Sequence, residues 1–111
     1  MEIEFADVSF ANDCNDFRKL VGKYNKQRAK LLRRRLDELR AAPTLNVMRN
    51  LPGRCHELKT DRSGQLSVDL DGPYRLIFKP SHNPLPVKVD GGLDWTKVTR
   101  IVVIEVVDTH E

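Results

Sequence analysis

Large rings are scarce in this chain: four Phe, two Tyr and one Trp make up 6% of its 111 residues. A core must therefore come mainly from Leu, Val and Ile. No apolar run approaches the ~20 residues of a membrane helix, and the longest aliphatic stretch, Ile101–Ile104, reads as a buried strand. Cysteine is nearly absent. Cys14 and Cys55 share no CxxC spacing, so two free thiols in a reducing cytosol are expected. With only three histidines beside them, no zinc motif can be drawn, and neither metal nor cofactor is expected. Repeats and low-complexity tracts are missing too, which leaves one domain spanning residues 1–111. The chain is too short for a dinucleotide-binding fold or a (β/α)8 barrel. Met1-Glu2-Ile3-Glu4 is acidic where a signal peptide is basic, so the expectation is a soluble cytoplasmic protein with no membrane partner.

What is present is charge, unevenly placed. Residues 1–17 carry five acids and no Lys or Arg, residues 18–62 carry 14 basic against 4 acidic residues, and residues 63–111 carry 5 against 7. A basic middle third of this kind is the electrostatic footprint of a polyanion-binding surface.

Hydrophobic periodicity supplies the elements. Residues 2–8 alternate as a short strand would. Asn12 or Asp13 can cap a helix carrying Phe17, Leu20, Val21 and Tyr24 on one face. Asn25 can cap a second helix with Ala29, Leu32, Leu36 and Leu39 as its buried stripe, and Arg28, Arg33, Arg34, Arg35 and Arg40 around the rest; Pro43 stops it. Arg54–Lys59 reads as a strand. Gln65–Leu70 alternates with Leu66, Val68 and Leu70 on one face, and Asp71-Gly72 is a two-residue hairpin signal. Tyr74–Lys79 follows, then a surface loop over 80–95 with three prolines and Gly91-Gly92, then a last strand from Val98 to Val107. The order is β-α-α-β-β-β-β: an α+β fold with a helical hairpin on one side of a small antiparallel sheet.

Strand alternation puts Arg54, His56 and Leu58 on one face, and Asp108 and His110 together on one face of the last strand. RNA cleavage at a 2′-hydroxyl needs a base for the 2′ proton, a cation for the phosphorane and an acid for the leaving 5′ oxygen. Histidine suits either proton role, and the planar fork of arginine suits the phosphate. Two histidines, Arg75, Lys59 and Asp108 all come from strands or strand ends that a small sheet can gather. His82, among prolines, reads as an ordinary loop residue.

The runs Leu51-Pro52-Gly53, His56-Glu57-Leu58-Lys59 with Asp61-Arg62-Ser63-Gly64, Tyr74-Arg75-Leu76-Ile77-Phe78 and Asp108-Thr109-His110, with Arg35–Leu39 at the end of the second helix, together resemble the HigB branch of the RelE/ParE toxin superfamily. That resemblance, over nearly all of the chain from residue 18, implies a type II toxin that cuts mRNA in the ribosomal A site. It implies a helix-turn-helix, HigA-like antitoxin as partner, with operator DNA bound only through that complex. Carried over, His56, Asp108 and His110 would be the acid–base residues, Arg75 the phosphate clamp and Lys59 a supporting cation. Arg54, Arg28, Arg33, Arg34 and Arg35 would meet the RNA backbone. Two departures stand out: Thr109 replaces the family's Tyr, and the 80–95 loop is longer. Two other readings stay open. One is a toxin of this fold that poisons by binding a protein such as gyrase, needing no histidine. The other is a non-catalytic RNA-binding or antitoxin-like regulator.

Overall fold

Three polar side chains punctuate the first quarter of the chain. The computed structural model describes residues 1–109, and in it Asp7, Asp16 and Asn25 each accept a hydrogen bond from a backbone N–H of the following turn (Phe10, Arg18 and Arg28). Each starts a helix: α1 (Val8–Cys14), α2 (Phe17–Lys23) and α3 (Lys26–Ala41). Asn25 caps as expected. The expected first helix differs, because the aspartates at 7 and 16 cut it into two and its start moves upstream of Asn12 and Asp13.

On α3, Ala29, Leu32, Leu36 and Leu39 are fully buried. At roughly 1.5–3 kcal/mol for each large aliphatic side chain withdrawn from water, this stripe is the main reason α3 docks. Ala42 adopts an extended ψ of 125 ahead of Pro43, the conformation a following proline imposes, and α3 ends there.

The strands are β1 (Glu2–Phe5), β2 (His56–Glu57), β3 (Leu66–Asp69), β4 (Tyr74–Pro80) and β5 (Arg100–Asp108). They form one sheet in the order β1-β5-β4-β3-β2. Leu66, Val68, Leu76, Phe78, Ile101 and Val103 turn one face into the core shared with α2 and α3. Three of the four pairings are antiparallel, but β1 runs parallel to β5. The intervening chain returns over the whole sheet before β5 is laid down, so the connection is a crossover and not a hairpin. The expected strand at Arg54–Lys59 shrinks to two residues, since Arg54 has φ +48 and Lys59 leads into a turn at Thr60–Arg62.

A β-bulge interrupts the β4–β5 ladder: Phe78 pairs with Val103 but Ile77 with Glu105, leaving Ile104 as an extra residue. Because side chains alternate along a strand, one inserted residue inverts every face beyond it. The 80–95 loop is tied down at its end by Trp95, which is buried and donates its indole N–H to Glu57 at 3.0 Å. No helix is long and apolar enough to cross a membrane among the described residues.

Candidate functional site

The sheet face turned away from the helices carries the chemistry. Antiparallel partners share a face, so the pairs His56–Ser67, Ser67–Ile77, Asp69–Arg75, Ile77–Glu105 and Arg75–Val107 place these side chains together. Between them lies a basin of about 310 Å³ whose polar wall is Arg54, His56, Arg62, Ser67, Arg75 and Thr109 and whose apolar floor is Leu58, Ile77 and Val107.

Each cation is held. Arg75 Nε lies 2.8 Å from Asp69 Oδ1, and its Nη1 donates to the carbonyls of Gly72 and Tyr74 at 2.8 and 2.9 Å. Arg54 Nε donates to Asp69 Oδ2 at 2.6 Å, with Nη2 3.4 Å from Oδ1; that hydrogen bond and charge push the Arg54 pKa up from its ordinary value. Arg62 donates to Gln65 at 2.9 Å and to Glu105 at 3.2 Å. The imidazole of His56 is exposed, with Nδ1 2.6 Å from the Arg54 carbonyl oxygen. A carbonyl can only accept, so Nδ1 carries the proton and the neutral ring keeps its lone pair on Nε2.

Of the residues singled out from sequence, the structure brings His56, Arg54 and Arg75 together. Lys59 is exposed at the start of the Thr60–Arg62 turn and forms no part of the basin wall. Asp108 is in register with Tyr74, on the face of Leu76 and the helices, and does not line the basin. Counting alternately from Ile101 and Val103 puts Asp108 outward; the bulge at Ile104 reverses that. His110 lies outside the described residues. Thr109 gives both its N–H and its hydroxyl to the Pro73 carbonyl, at 2.9 and 2.8 Å, which pins the end of β5 to the β3–β4 hairpin.

The helical arginines lie across the sheet from the basin. Arg28 grips Asp71 with two hydrogen bonds, at 2.9 and 3.1 Å, and stacks 3.4 Å over the Tyr74 ring. Arg33 stacks on Phe17 and Arg34 is exposed. Arg35, expected on the exposed basic face, is instead buried. It stands three residues from Leu32 and four from Leu39, so helical spacing carries it into the apolar stripe. There its Nε donates to the Asp69 carbonyl at 2.8 Å and its Nη1 to Glu38 at 3.1 Å.

Asp69, Arg62 and Glu105 escaped the sequence reading. Asp69 was accessible to it, since turning Leu66, Val68 and Leu70 inward turns Ser67 and Asp69 outward. Arg62 belongs to the Asp61-Arg62-Ser63-Gly64 run, whose spacing alone assigns it no role. His82 is a structural acceptor, taking the Thr99 N–H on Nε2 at 3.1 Å. Among the described residues no group of three His, Cys, Asp or Glu is placed to hold a metal.

Both cysteines are free thiols. Burial pushes the Cys14 pKa up to about 11, helped by the charge of Asp13, and burial pushes Cys55 up to about 12. Cys55 adjoins His56 in the chain, yet its thiol packs against the core and is no nucleophile. At pH 8 each thiol in the folded protein should react with iodoacetamide at least tenfold more slowly than in the unfolded chain. Rates equal to those in urea would contradict the burial. Both groups hold their proton more tightly when folded, so their contribution to stability is complete below pH 9.0 and is lost as pH climbs toward 11–12.

No family model and no curated protein matches the chain. Solved structures do. A YoeB/ParE toxin from Agrobacterium tumefaciens is similar over 100% of both chains, with a TM-score of 0.59 and 14% identity. A YoeB-YefM complex from Staphylococcus aureus is similar over 96% of this chain and 93% of that one, with a TM-score of 0.56 and 17% identity. At such identities the likeness is one of fold: this chain has the α+β architecture of the YoeB/ParE toxins, helices packed on a five-stranded sheet.

Proposed function

We propose that this chain is the toxin of a type II toxin–antitoxin pair, of the HigB branch of the RelE/ParE superfamily, and acts as a ribosome-dependent mRNA endonuclease. The observation that carries this reading is the meeting of His56 with Arg54, Arg62 and Arg75 in one basin on a fold shared with YoeB/ParE toxins. His56 Nε2 takes the 2′ proton of the RNA, and the 2′ oxygen attacks the adjacent phosphorus. Arg75 and Arg54 neutralise the charge gathering on the phosphorane oxygens. The P–O5′ bond then breaks, leaving a 2′,3′-cyclic phosphate, and His110 supplies the proton to the departing 5′ oxygen. Neither cofactor nor metal takes part. With Thr109 in the place of a stacking ring, the basin has no base-holding aromatic of its own at that position. Alignment of the substrate falls to the ribosome, where prepaid orientation can supply much of the barrier reduction. The partner is a HigA-like antitoxin, in the way that the Staphylococcus aureus toxin was solved with YefM.

Adding the protein to a reconstituted translation system and mapping mRNA 5′ ends tests this. Wild type should produce new ends inside the translated frame, and His56→Ala should reduce them by about 10²–10⁴-fold, the usual worth of a general base. His56 is exposed, so the variant keeps its fold. Arrest of growth without new ends, or with DNA synthesis failing first, would replace this reading with that of a protein-binding poison.

A further inference from the structure

Resting on that reading, we propose that Asp69 is the positioning residue of the basin, its carboxylate holding Arg54 and Arg75 side by side as one two-guanidinium phosphate clamp. The Asp69 carboxylate meets both arginines at once. One carboxylate oxygen is 2.6 Å from Arg54 Nε and the other 2.8 Å from Arg75 Nε. Its backbone is fixed from both sides: its N–H donates to the Gly53 carbonyl at 2.7 Å, and its carbonyl accepts from the buried Arg35 at 2.8 Å. The carboxylate thus stands on a brace that reaches from α3 through the sheet to the basin.

The two arginines need that brace for different reasons. Arg75 is largely enclosed, with 18% of its side chain exposed, and has carbonyl partners of its own. Arg54 springs from a left-handed backbone position and is 69% exposed. Its only hydrogen-bond acceptor among the described residues is Asp69. Without the carboxylate Arg54 would sample many rotamers and would have to be ordered afresh at each encounter with a phosphate. Placing Asp between the two also lowers the repulsion that would otherwise drive adjacent guanidiniums apart. Asp69 is not offered as the base: both its oxygens face guanidiniums.

The test pairs a spectroscopic readout with a kinetic one, on the full chain. In ¹H–¹⁵N spectra of the arginine side chains, Asp69→Asn should shift and broaden the Nε–H signals of Arg54 and Arg75, while that of Arg28, bound to Asp71, stays in place. In the ribosome assay Asp69→Asn should lower the maximal cleavage rate about 10–30-fold, with the concentration for half-maximal rate changed less than threefold. Asp69→Glu should recover part of the loss. Unmoved Arg54 and Arg75 signals would overturn the clamp, whatever the cleavage result. Moved signals with cleavage at the wild-type rate would leave Asp69 a structural brace and overturn its positioning role. Wild-type protein that cuts no mRNA would instead remove the nuclease reading, and the positioning role with it.

Discussion

Under the proposed nuclease activity, replacing Arg75 by alanine is expected to lower the rate of mRNA cleavage on the ribosome by about 10²–10³-fold, the usual cost of removing one preorganised donor to a developing oxyanion. The case rests on how this side chain is fixed. Asp69 holds its Nε, and two backbone carbonyls, of Gly72 and Tyr74, take the protons of Nη1. No described residue accepts from Nη2, so that nitrogen is the one left to meet a phosphate oxygen. The three anchoring groups aim it before substrate arrives, so little reorganisation is needed when charge develops. Arg75→Lys separates charge from geometry. An ammonium keeps the charge but cannot satisfy two carbonyls, a carboxylate and a phosphate together, so it should recover only part of the lost rate. Single-turnover cleavage measured on programmed ribosomes decides the matter. Cutting by Arg75→Ala within threefold of wild type would remove Arg75 from the mechanism.

Gly53→Ala should be the most destabilising exchange of a single methyl group near the site. Gly53 has φ +110, where L side chains are strained at a cost of about 1–3 kcal/mol. A Cβ there would also stand 2.6 Å from Val68 Cγ2 and 2.9 Å from Arg35 Nε. Both neighbours are buried, and crowding a packed core costs about 1–3 kcal/mol more. A loss near 3 kcal/mol corresponds to a melting temperature lower by about 10 °C in a domain of this size. Gly64→Ala is the control: its φ is +90, but nothing lies within 4 Å of the added Cβ, so only the backbone strain of about 1–3 kcal/mol remains, without the crowding. Equal melting of the two variants would show that close approach is not what demands glycine at position 53. Displacing Arg35 would also shift the Asp69 backbone, so Gly53→Ala should cleave more slowly even where it remains folded.

Much of this architecture is legible in residue spacing. The stripe Ala29-Leu32-Leu36-Leu39, the Asn25 cap and a reversal at Asp71-Gly72 are local, and their physics acts within a few residues; the reversal is longer than the two-residue hairpin expected, because Leu70 N–H bonds the Tyr74 carbonyl and Pro73 joins the turn. The faces of β3 were legible for the same reason. What resisted was set by distant partners. The parallel pairing of β1 with β5 joins residues nearly a hundred positions apart. The split of the first helix turned on which of several Asp and Asn residues cap. Arg35 follows a helical period that the eye credits only to apolar residues, and burial of a guanidinium becomes acceptable only because the Asp69 carbonyl and Glu38 wait for it. Asp108 stands opposite Tyr74, on the helix side, through one extra residue, Ile104, in a ladder whose register depends on β4. The basin itself was half legible: His56, Arg54 and Arg75 were singled out, whereas Asp69, which joins two of them, faces outward by the same alternation that buries Val68.

The docking of Trp95 has a use beyond holding the long loop. It is the chain's one tryptophan; its ring lies under the Arg49 guanidinium at 3.7 Å, and its indole N–H is bound to Glu57, the neighbour of His56. Intrinsic fluorescence therefore originates from a single buried indole one residue's reach from the basin. Emission wavelength and quenching by iodide follow the seating of the loop against β2 directly, with no label introduced, and so give an optical signal for whatever docks beside the site.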